Sequence, residues 1–307
     1  MQCSRVLFAL LAACTTLAGS AGCSLTETSL TDAGDVVILE LILRANDPDA
    51  QRAFAYRTTG TGLPSAVSGA RIEVTDVQGR VMTFGEVPTR TCITDDVMGP
   101  LDGSCYVQEP GPVVIVPGAS YSLRVTLSDG GVLTGATTVP GDFQFTRPAA
   151  PVCRLEPGTT VELGWRPAAD TWVYVAEADL GGLADALEPQ GIELDEDPLR
   201  LLGLSISRED TTLVFPTEFG LFDRADPDVA DALIAIRDGL PAGVRAGVIV
   251  GAADRNYVNW VRGGNFNPSG LVRVPSVNGD GTGVFGSVVI RSRILTTIAE
   301  STADRCD

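Results

Sequence analysis

The sequence predicts a mainly β protein that folds as two β-sandwich domains, and three observations support this. The chain has 307 residues, a length that suits about two domains. Its 34 glycines and 19 prolines interrupt short apolar runs. Those runs are rich in β-branched residues and recur with turn residues every eight to twelve positions, a spacing that is typical of sandwiches.

The N-terminus predicts an export signal that ends in a lipidated cysteine. "MQCSRVLFALLAACTTLAGSAGCSL" carries Arg5, an apolar run and then small residues, in the three-part layout of a secretory signal. The run is too short for a membrane-spanning helix. Small residues before a cysteine resemble the bacterial lipoprotein signal, and Cys23 leaves a signal of usual length. Cys14, after Leu-Ala-Ala, is the alternative, and a plain cleaved signal is a third reading. We therefore expect a signal peptide at 1–22 and a polar tether at 23–35.

Residues 36–147 are expected to form the first sandwich. "VVILELIL" (36–43) predicts a strand, and "ARIEVTDVQGRVMTF" (70–84) predicts two strands around a Gln78-Gly79 turn. Further strands are predicted at 112–116, 121–127 and 131–139. The theme "AVSGARIEVTDVQGR … VPGASYSLRVTLSDGG" resembles the transthyretin-like or immunoglobulin-like accessory modules of secreted bacterial proteins.

Residues 148–307 are expected to form a fibronectin-like sandwich with a helical insertion. Pro148 and Pro151 mark a linker, and "TVELGWRPAADTWVYVAEA" (160–178) predicts a hairpin that buries Trp165 and Trp172. Segments 180–190 and 227–240 carry apolar residues at helical spacing. Segment 246–264 predicts a buried strand that runs into a short helix, and 283–298 predicts the closing strands.

The charge excludes several classes of function. The chain has 39 acidic and 22 basic residues, a net charge of −17, and no His; every basic residue is Arg. Without His there is no Ser-His-Asp or Cys-His pair and no His-ligated metal site. The acidity argues against a nucleic-acid partner. We expect no catalytic residues, no cofactor and no metal.

Apart from Cys3, Cys14 and Cys23, four of the seven cysteines remain, and they predict two disulfides. Cys92 and Cys105 flank "ITDDVMGPLDGS", which has the composition of a long hairpin loop, so we pair them. Cys153 then pairs with Cys306, one of three pairings that four cysteines allow. Both bonds fit an oxidising compartment.

The glycine-rich stretch "SVNGDGTGVFGS" (276–287) predicts a turn. A calcium loop needs more oxygen side chains than Asn278 and Asp280 provide, and no Glu closes the loop. A phosphate loop needs a following helix and a Lys, but a strand follows here and the chain has no Lys.

Two other groups are candidate sites. Tyr257, Trp260 and Phe266 form an aromatic set, and the first two share one face of the predicted short helix. That face is either a ligand-binding patch or part of the core. The second group consists of acidic loops, where paired carboxylates would allow glycoside hydrolysis: Glu193, Asp195, Glu196, Asp197, Asp223, Asp226 and Asp228.

The run "RNYVNWVRGGNFNPSGLVRVPSVNGDGTGVFGS" resembles the C-terminal signature of the domain of unknown function 4249 family, lipoproteins best represented in Bacteroidota. The matching positions are Tyr257, Asn267-Pro268, Pro275-Ser276-Val277 and Gly283-Val284-Phe285-Gly286. The lipid cysteine, the first strand and "PGASYSL" fit as well, whereas the weaker lipobox, the disulfides and the lack of Lys depart from the family. The resemblance implies an outer-membrane lipoprotein that is an accessory of a TonB-dependent receptor, and it brings no catalytic residues.

The sequence thus predicts a non-enzymatic, lipid-anchored module on the bacterial outer membrane. Its partners would be the membrane, through the lipid, and a receptor or another envelope protein. Two alternatives remain open. One is a carboxylate-based hydrolase of envelope polysaccharide, and the other is a purely structural lipoprotein.

Overall fold

The computed structural model describes residues 35–47, 51–59, 62–92, 102–204, 207–220, 227–262 and 274–307. Residues 35–307 form one compact unit. The predicted signal peptide, the candidate lipidation sites Cys14 and Cys23, and the tether up to residue 34 lie outside the described residues. None of the helices in the described ranges is long and apolar enough to cross a membrane.

The described residues are mostly strand. The strands are β1 (Val36–Ala45), β2 (Arg52–Thr59), β3 (Gly62–Ala66), β4 (Arg71–Asp76), β5 (Val81–Val87), β6 (Ser104–Gln108), β7 (Ser120–Thr126), β8 (Val132–Thr138), β9 (Phe145–Arg147), β10 (Val152–Arg154), β11 (Val161–Trp165), β12 (Val173–Gly181), β13 (Leu199–Leu204), β14 (Thr212–Phe215), β15 (Arg245–Ala253), β16 (Val277–Gly279) and β17 (Gly281–Thr296). The helices are α1 (Leu183–Leu187), α2 (Pro227–Ile236) and α3 (Arg255–Arg262), with short 3₁₀ turns at Thr89–Thr91 and Glu188–Gln190.

The main sheet closes into a nine-stranded barrel. Its order is β1-β2-β6-β5-β4-β7-β8-β16-β17, and β1 also pairs with β17 in parallel. The sheet continues from β17 through β15 and β12 to β13, while β3 joins β2 and β10 joins β17. A separate sheet has the order β14-β11-β9.

The prediction of two β-sandwich domains is therefore wrong, although the mainly β class is correct. The closing pairs run from Val37 opposite Gly281 to Ala45 opposite Val289, so the strand predicted to begin the first sandwich pairs with one from the second. Strand periodicity shows that a segment is extended but does not identify its partner. The 16-residue β17 contributes its first half to the barrel and its second half to pairs with β15 and β10.

The barrel interior is filled by side chains from alternate strand positions. In β1, Val37, Leu39, Leu41 and Leu43 are at most 2% exposed, whereas the intervening residues are more exposed. This period of two places one face of each strand in the core. The barrel is therefore a packed core rather than a channel.

The predicted strands and turns are largely confirmed, with two exceptions. The hairpin predicted at 160–178 does not form, because β11 pairs with β14 and β9 whereas β12 pairs with β13 and β15. The Gln78-Gly79 turn joins β4 to β5, and the predicted helical segments contain α1 and α2. Segment 112–116 is instead an irregular loop. Val113 and Ile115 are buried while Val114 is 71% exposed, so side chains along the segment alternate between the core and solvent as in a strand. Its backbone bonds to a side chain instead of a neighbouring strand, since Val116 N donates to the Tyr121 hydroxyl at 2.9 Å and that hydroxyl donates to Val114 O at 3.1 Å.

Both predicted disulfides are present, Cys92–Cys105 and Cys153–Cys306. The second bond holds the C-terminal segment against β10, where Arg154 N donates to Asp304 O at 2.7 Å and Cys306 N donates to Arg154 O at 3.0 Å.

The stretch 276–287 forms the hairpin between β16 and β17, with a bend at Asp280. The Asp280 carboxylate accepts a hydrogen bond from Val132 N at 2.8 Å, which attaches the bend to β8. Gly279 and Gly283 have φ values of 122° and 139°. A Cβ at Gly281 would lie 2.6 Å from Val37 O, and one at Gly283 would overlap Leu39 O. The glycines are needed because β1 and β8 approach this hairpin closely.

We expect Gly283→Ala to destabilise the barrel, because the new Cβ overlaps the Leu39 carbonyl and φ is in a range that alanine avoids. The loss in the free energy of unfolding should be about 2 kcal/mol or more. Gly247→Ala in β15 is the matched control, since a Cβ there meets nothing within 4 Å. Urea unfolding measures both, and equal stabilities of the two variants would contradict this account of β1–β17 closure.

Candidate functional site

An open cleft of about 610 Å³ lies at one end of the barrel. Four segments form it: the start of β7, the end of β8, the loop between β11 and β12, and the junction of β15 with α3. These segments are distant in sequence, and barrel closure brings them together. The lining is mainly polar, and Ala136 is the only aliphatic side chain among the described residues that line it.

Trp172 projects into this cleft. The residue is 42% exposed, so the prediction that it is buried is wrong, whereas Trp165 is 3% exposed as predicted. Trp165 packs against Phe145 and Tyr174, with ring centroids 6.1 and 5.1 Å apart. The Trp172 backbone is held in place, because its N–H donates to Ala253 O at 2.9 Å. A fixed backbone therefore presents a large aromatic ring to solvent.

Arg255 lies over the indole of Trp172. Its Cζ atom is 5.0 Å from the ring centroid, within the range of a cation–π contact. Within the described ranges, Arg255 makes no ion pair. It is also the first residue of α3, where a positive charge opposes the helix dipole. Helix stability therefore does not explain this arginine.

Asp254 forms part of the cleft floor and caps α3. One carboxylate oxygen accepts from Tyr257 N at 2.8 Å, and the other accepts from the Thr137 hydroxyl at 2.6 Å. Thr137 Oγ1 also lies 2.9 Å from the Ser287 hydroxyl. All three polar side chains are at most 5% exposed. Burial raises the pKa of Asp254, and these hydrogen bonds oppose the increase.

Asn256 fixes α3 to the barrel. Its side-chain amide donates to Ala136 O at 2.8 Å and to Phe285 O at 2.9 Å. These bonds tie the start of the helix to β8 and β17. The backbone at Arg255 is therefore held in place by the hydrogen bonds of its two neighbours, Asp254 and Asn256.

The predicted aromatic set does not meet in this cleft. Trp260 is 9% exposed. Tyr257 packs beside the small cluster of Val173, Ala253 and Val258. It lines a separate groove of about 130 Å³ on the outer face of the sheet, and burial raises the pKa of its hydroxyl. Phe266 lies outside the described residues.

The acidic loops are exposed where the structure describes them. Glu193, Asp195, Glu196 and Asp197 all lie at the surface between α1 and β13, and Asp197 accepts a hydrogen bond from Gly182 N at 2.9 Å. Asp223, Asp226 and the Asp228 side chain lie outside the described residues. In the described part of the chain, no group of three or more His, Cys, Asp or Glu side chains is placed to hold a metal ion.

Sequence reasoning missed Arg255, Asp170 and Asp254 as site residues. The prediction for Trp172 extended the strand alternation through it, but β12 begins only at Val173. Asp170, two residues earlier, has φ of 57°, a left-handed turn conformation that asparagine and aspartate tolerate best among non-glycine residues. The Pro-Ala-Ala-Asp turn was the available signal, since a turn residue next to a Trp interrupts strand burial.

Comparisons with known proteins identify no family. No protein-family model matches the chain, and no curated protein matches it. Similar solved structures include a protein of the domain of unknown function 4785 family from Legionella pneumophila, at 10% identity and a TM-score of 0.23. The match covers 69% of this chain and 51% of that protein, so this chain spans about half its length. A TM-score this low supports no inference about fold or function.

We expect Asp254→Asn to change how stability depends on pH. The pKa of Asp254 is raised in the folded state, so the folded protein binds a proton there more tightly than the unfolded chain does. As pH rises from about 4 through the raised value, the wild type should lose stability relative to Asp254→Asn, by up to about 1.4 kcal/mol per pH unit. Urea unfolding of both proteins from pH 4 to pH 8 measures the difference. A constant difference would contradict the prediction.

Proposed function

We propose that this protein is a non-catalytic, carbohydrate-binding lipoprotein of the bacterial cell envelope, and that the Trp172 cleft holds its ligand. The supporting observation is the half-exposed Trp172 ring, which stands on a fixed backbone above a polar floor.

The chemistry of the cleft matches a sugar. One face of a pyranose ring is a set of C–H groups that stacks on an aromatic ring, while its hydroxyls both donate and accept hydrogen bonds. Trp172 offers the ring, and Ser120, Thr138, Asp170 and Asn256 line the same cleft. A peptide ligand would need apolar pockets for its side chains, and Ala136 alone among the described lining residues provides an aliphatic surface.

The absence of catalysis is also a proposal. Glycoside hydrolysis needs one carboxyl group that protonates the leaving oxygen and a second that acts as base or nucleophile. Both Asp254 oxygens already accept hydrogen bonds from protein donors, and this leaves the carboxyl group poorly placed to donate to a ligand. Among the described lining residues, this leaves Asp170 as the one carboxyl group available for catalysis, whereas the mechanism requires two.

The lipid anchor, the outer-membrane location and a role beside a TonB-dependent receptor rest on the N-terminal sequence and on the family resemblance. A carboxylate-based hydrolase and a purely structural lipoprotein are the alternatives that the experiments distinguish.

We expect Trp172→Ala to weaken glycan binding strongly. The full chain, with its disulfides intact, is tested on an array of neutral and acidic oligosaccharides, and affinities are then measured by calorimetry. Truncation of a central aromatic should weaken binding by about 30-fold or more, equivalent to about 2 kcal/mol. Leu202→Ala is the control, because Leu202 is 40% exposed and lies outside the cleft. Unchanged binding by Trp172→Ala would place the ligand elsewhere, binding to no glycan would favour the structural alternative, and release of new reducing ends would favour the hydrolase.

We expect the mature N-terminus to be a diacylated or triacylated Cys23. Mass spectrometry of the protein purified from membranes, combined with a Cys23→Ala variant, tests this. The variant should leave the membrane fraction, whereas Cys14→Ala should remain in it. The reverse pattern would identify Cys14 as the anchor, and an unmodified mature terminus at Ser24 or Thr15 would refute lipidation.

A further inference from the structure

We infer that the ligand of the Trp172 cleft is an acidic glycan, and that Arg255 binds the carboxylate of a uronic acid residue. This inference rests on the proposed function and narrows it from carbohydrates in general to those that carry a carboxylate.

The first argument is that the Arg255 guanidinium is pre-organised but unsatisfied. The cation–π contact with Trp172, with 5.0 Å between Cζ and the ring centroid, restrains where the guanidinium lies. Its N–H donors lie around the edge of the guanidinium plane, in the fork that matches a carboxylate with two parallel hydrogen bonds. Among the described residues no carboxylate forms an ion pair with it, so the fork is available to a ligand.

A second stacked arginine shows what a structural role would look like. Arg293 lies 4.3 Å from the centroid of the Phe145 ring, measured from Cζ. Its N–H groups donate to the carbonyls of Pro148, Ser292 and Ala149. Arg293 therefore holds two segments together, whereas no comparable backbone acceptor engages Arg255 in the described part of the protein.

The third argument concerns where this charge stands. A cation at the first position of α3 opposes the helix dipole by some tenths of a kcal/mol, and helix formation gains nothing from it. The protein as a whole is acidic, with a net charge of −17. Arg255 attracts an anion only at short range, because interactions between exposed charges more than about 8 Å apart are screened at physiological salt. The site therefore suits a ligand that docks its carboxylate directly on Arg255.

A second acidic group in the ligand would be disfavoured beside the carboxylate that binds Arg255. Asp170 lines the same cleft and would repel a second carboxylate while it accepts a hydrogen bond from a hydroxyl. A uronic acid within a chain presents this combination, since its ring carries one carboxylate and several hydroxyls. The C–H face of the sugar ring would then stack on the face of the Trp172 indole that Arg255 does not cover.

Calorimetry of the full chain with charge-matched pairs of oligosaccharides tests the inference. The probes are trimers of galacturonate, glucuronate and mannuronate, each with its methyl ester, which keeps the sugar but removes the charge. At least one trimer should bind about 10- to 100-fold more tightly than its ester, as expected for hydrogen bonds between charged groups. Arg255→Gln should remove this preference while ester binding persists. Arg255→Lys, which retains the charge without the fork, should give an intermediate preference.

Arg245→Gln is the control, because Arg245 is exposed on β15, makes no ion pair among the described residues, and its replacement changes the net charge equally. It should leave both affinities unchanged, and thermal melts verify that each variant is folded. Equal binding of acid and ester, with Trp172→Ala still defective, would overturn the inference but leave the proposed function standing. An acid preference that survives Arg255→Gln would also overturn it. Binding to no glycan, or tighter binding to a tri-glutamate peptide, would overturn both.

Discussion

β1 and β17 pair in parallel from Val37 opposite Gly281 to Ala45 opposite Val289, and the rest of the fold depends on this contact. It joins the two ends of the described chain and closes the ring that buries the apolar face of β1. It also constrains the sequence locally, since a Cβ at Gly281 or Gly283 would meet the carbonyls of β1. Because the paired segments are more than two hundred residues apart, their contact needs the intervening strands to be in place. Such non-local contacts bear a large loop-closure entropy before they contribute stability.

The cleft floor forms where β17 also meets β8. Ser287 lies opposite Leu43 in the closing pair, and its hydroxyl meets that of Thr137 from β8. Asp254, at the end of β15, completes this buried network and caps α3. The buried polar groups thus fix the geometry, while the exposed pair of Trp172 and Arg255 faces solvent. Substitutions at the exposed pair would therefore leave the buried network beneath it in place.

Local features of this fold were predictable from sequence, and long-range ones were not. The Gln78-Gly79 turn, the hairpin at Asp280 and most strands follow from turn chemistry and alternation within a few residues. The disulfide pairs followed because Cys92 and Cys105 flank one loop, which leaves Cys153 for Cys306. Closure into a barrel did not follow, because alternation carries no information about partners. The site was missed for a related reason: an arginine at a helix start looks like any surface arginine until folding brings a tryptophan from another loop beneath it.

The direction of β1 bears on the distance between the proposed lipid anchor and the cleft. The chain enters the barrel at Val36, and the cleft floor lies level with Leu43, about 23 Å further along the strand at 3.3 Å per residue. With the lipid on Cys23, as proposed, the twelve residues 24–35 span at most about 40 Å when fully extended. The lipid-bearing residue and the level of the cleft floor are then separated by at most about 60 Å of chain. A reach of this size would let the proposed cleft bind a polymer that extends away from the membrane.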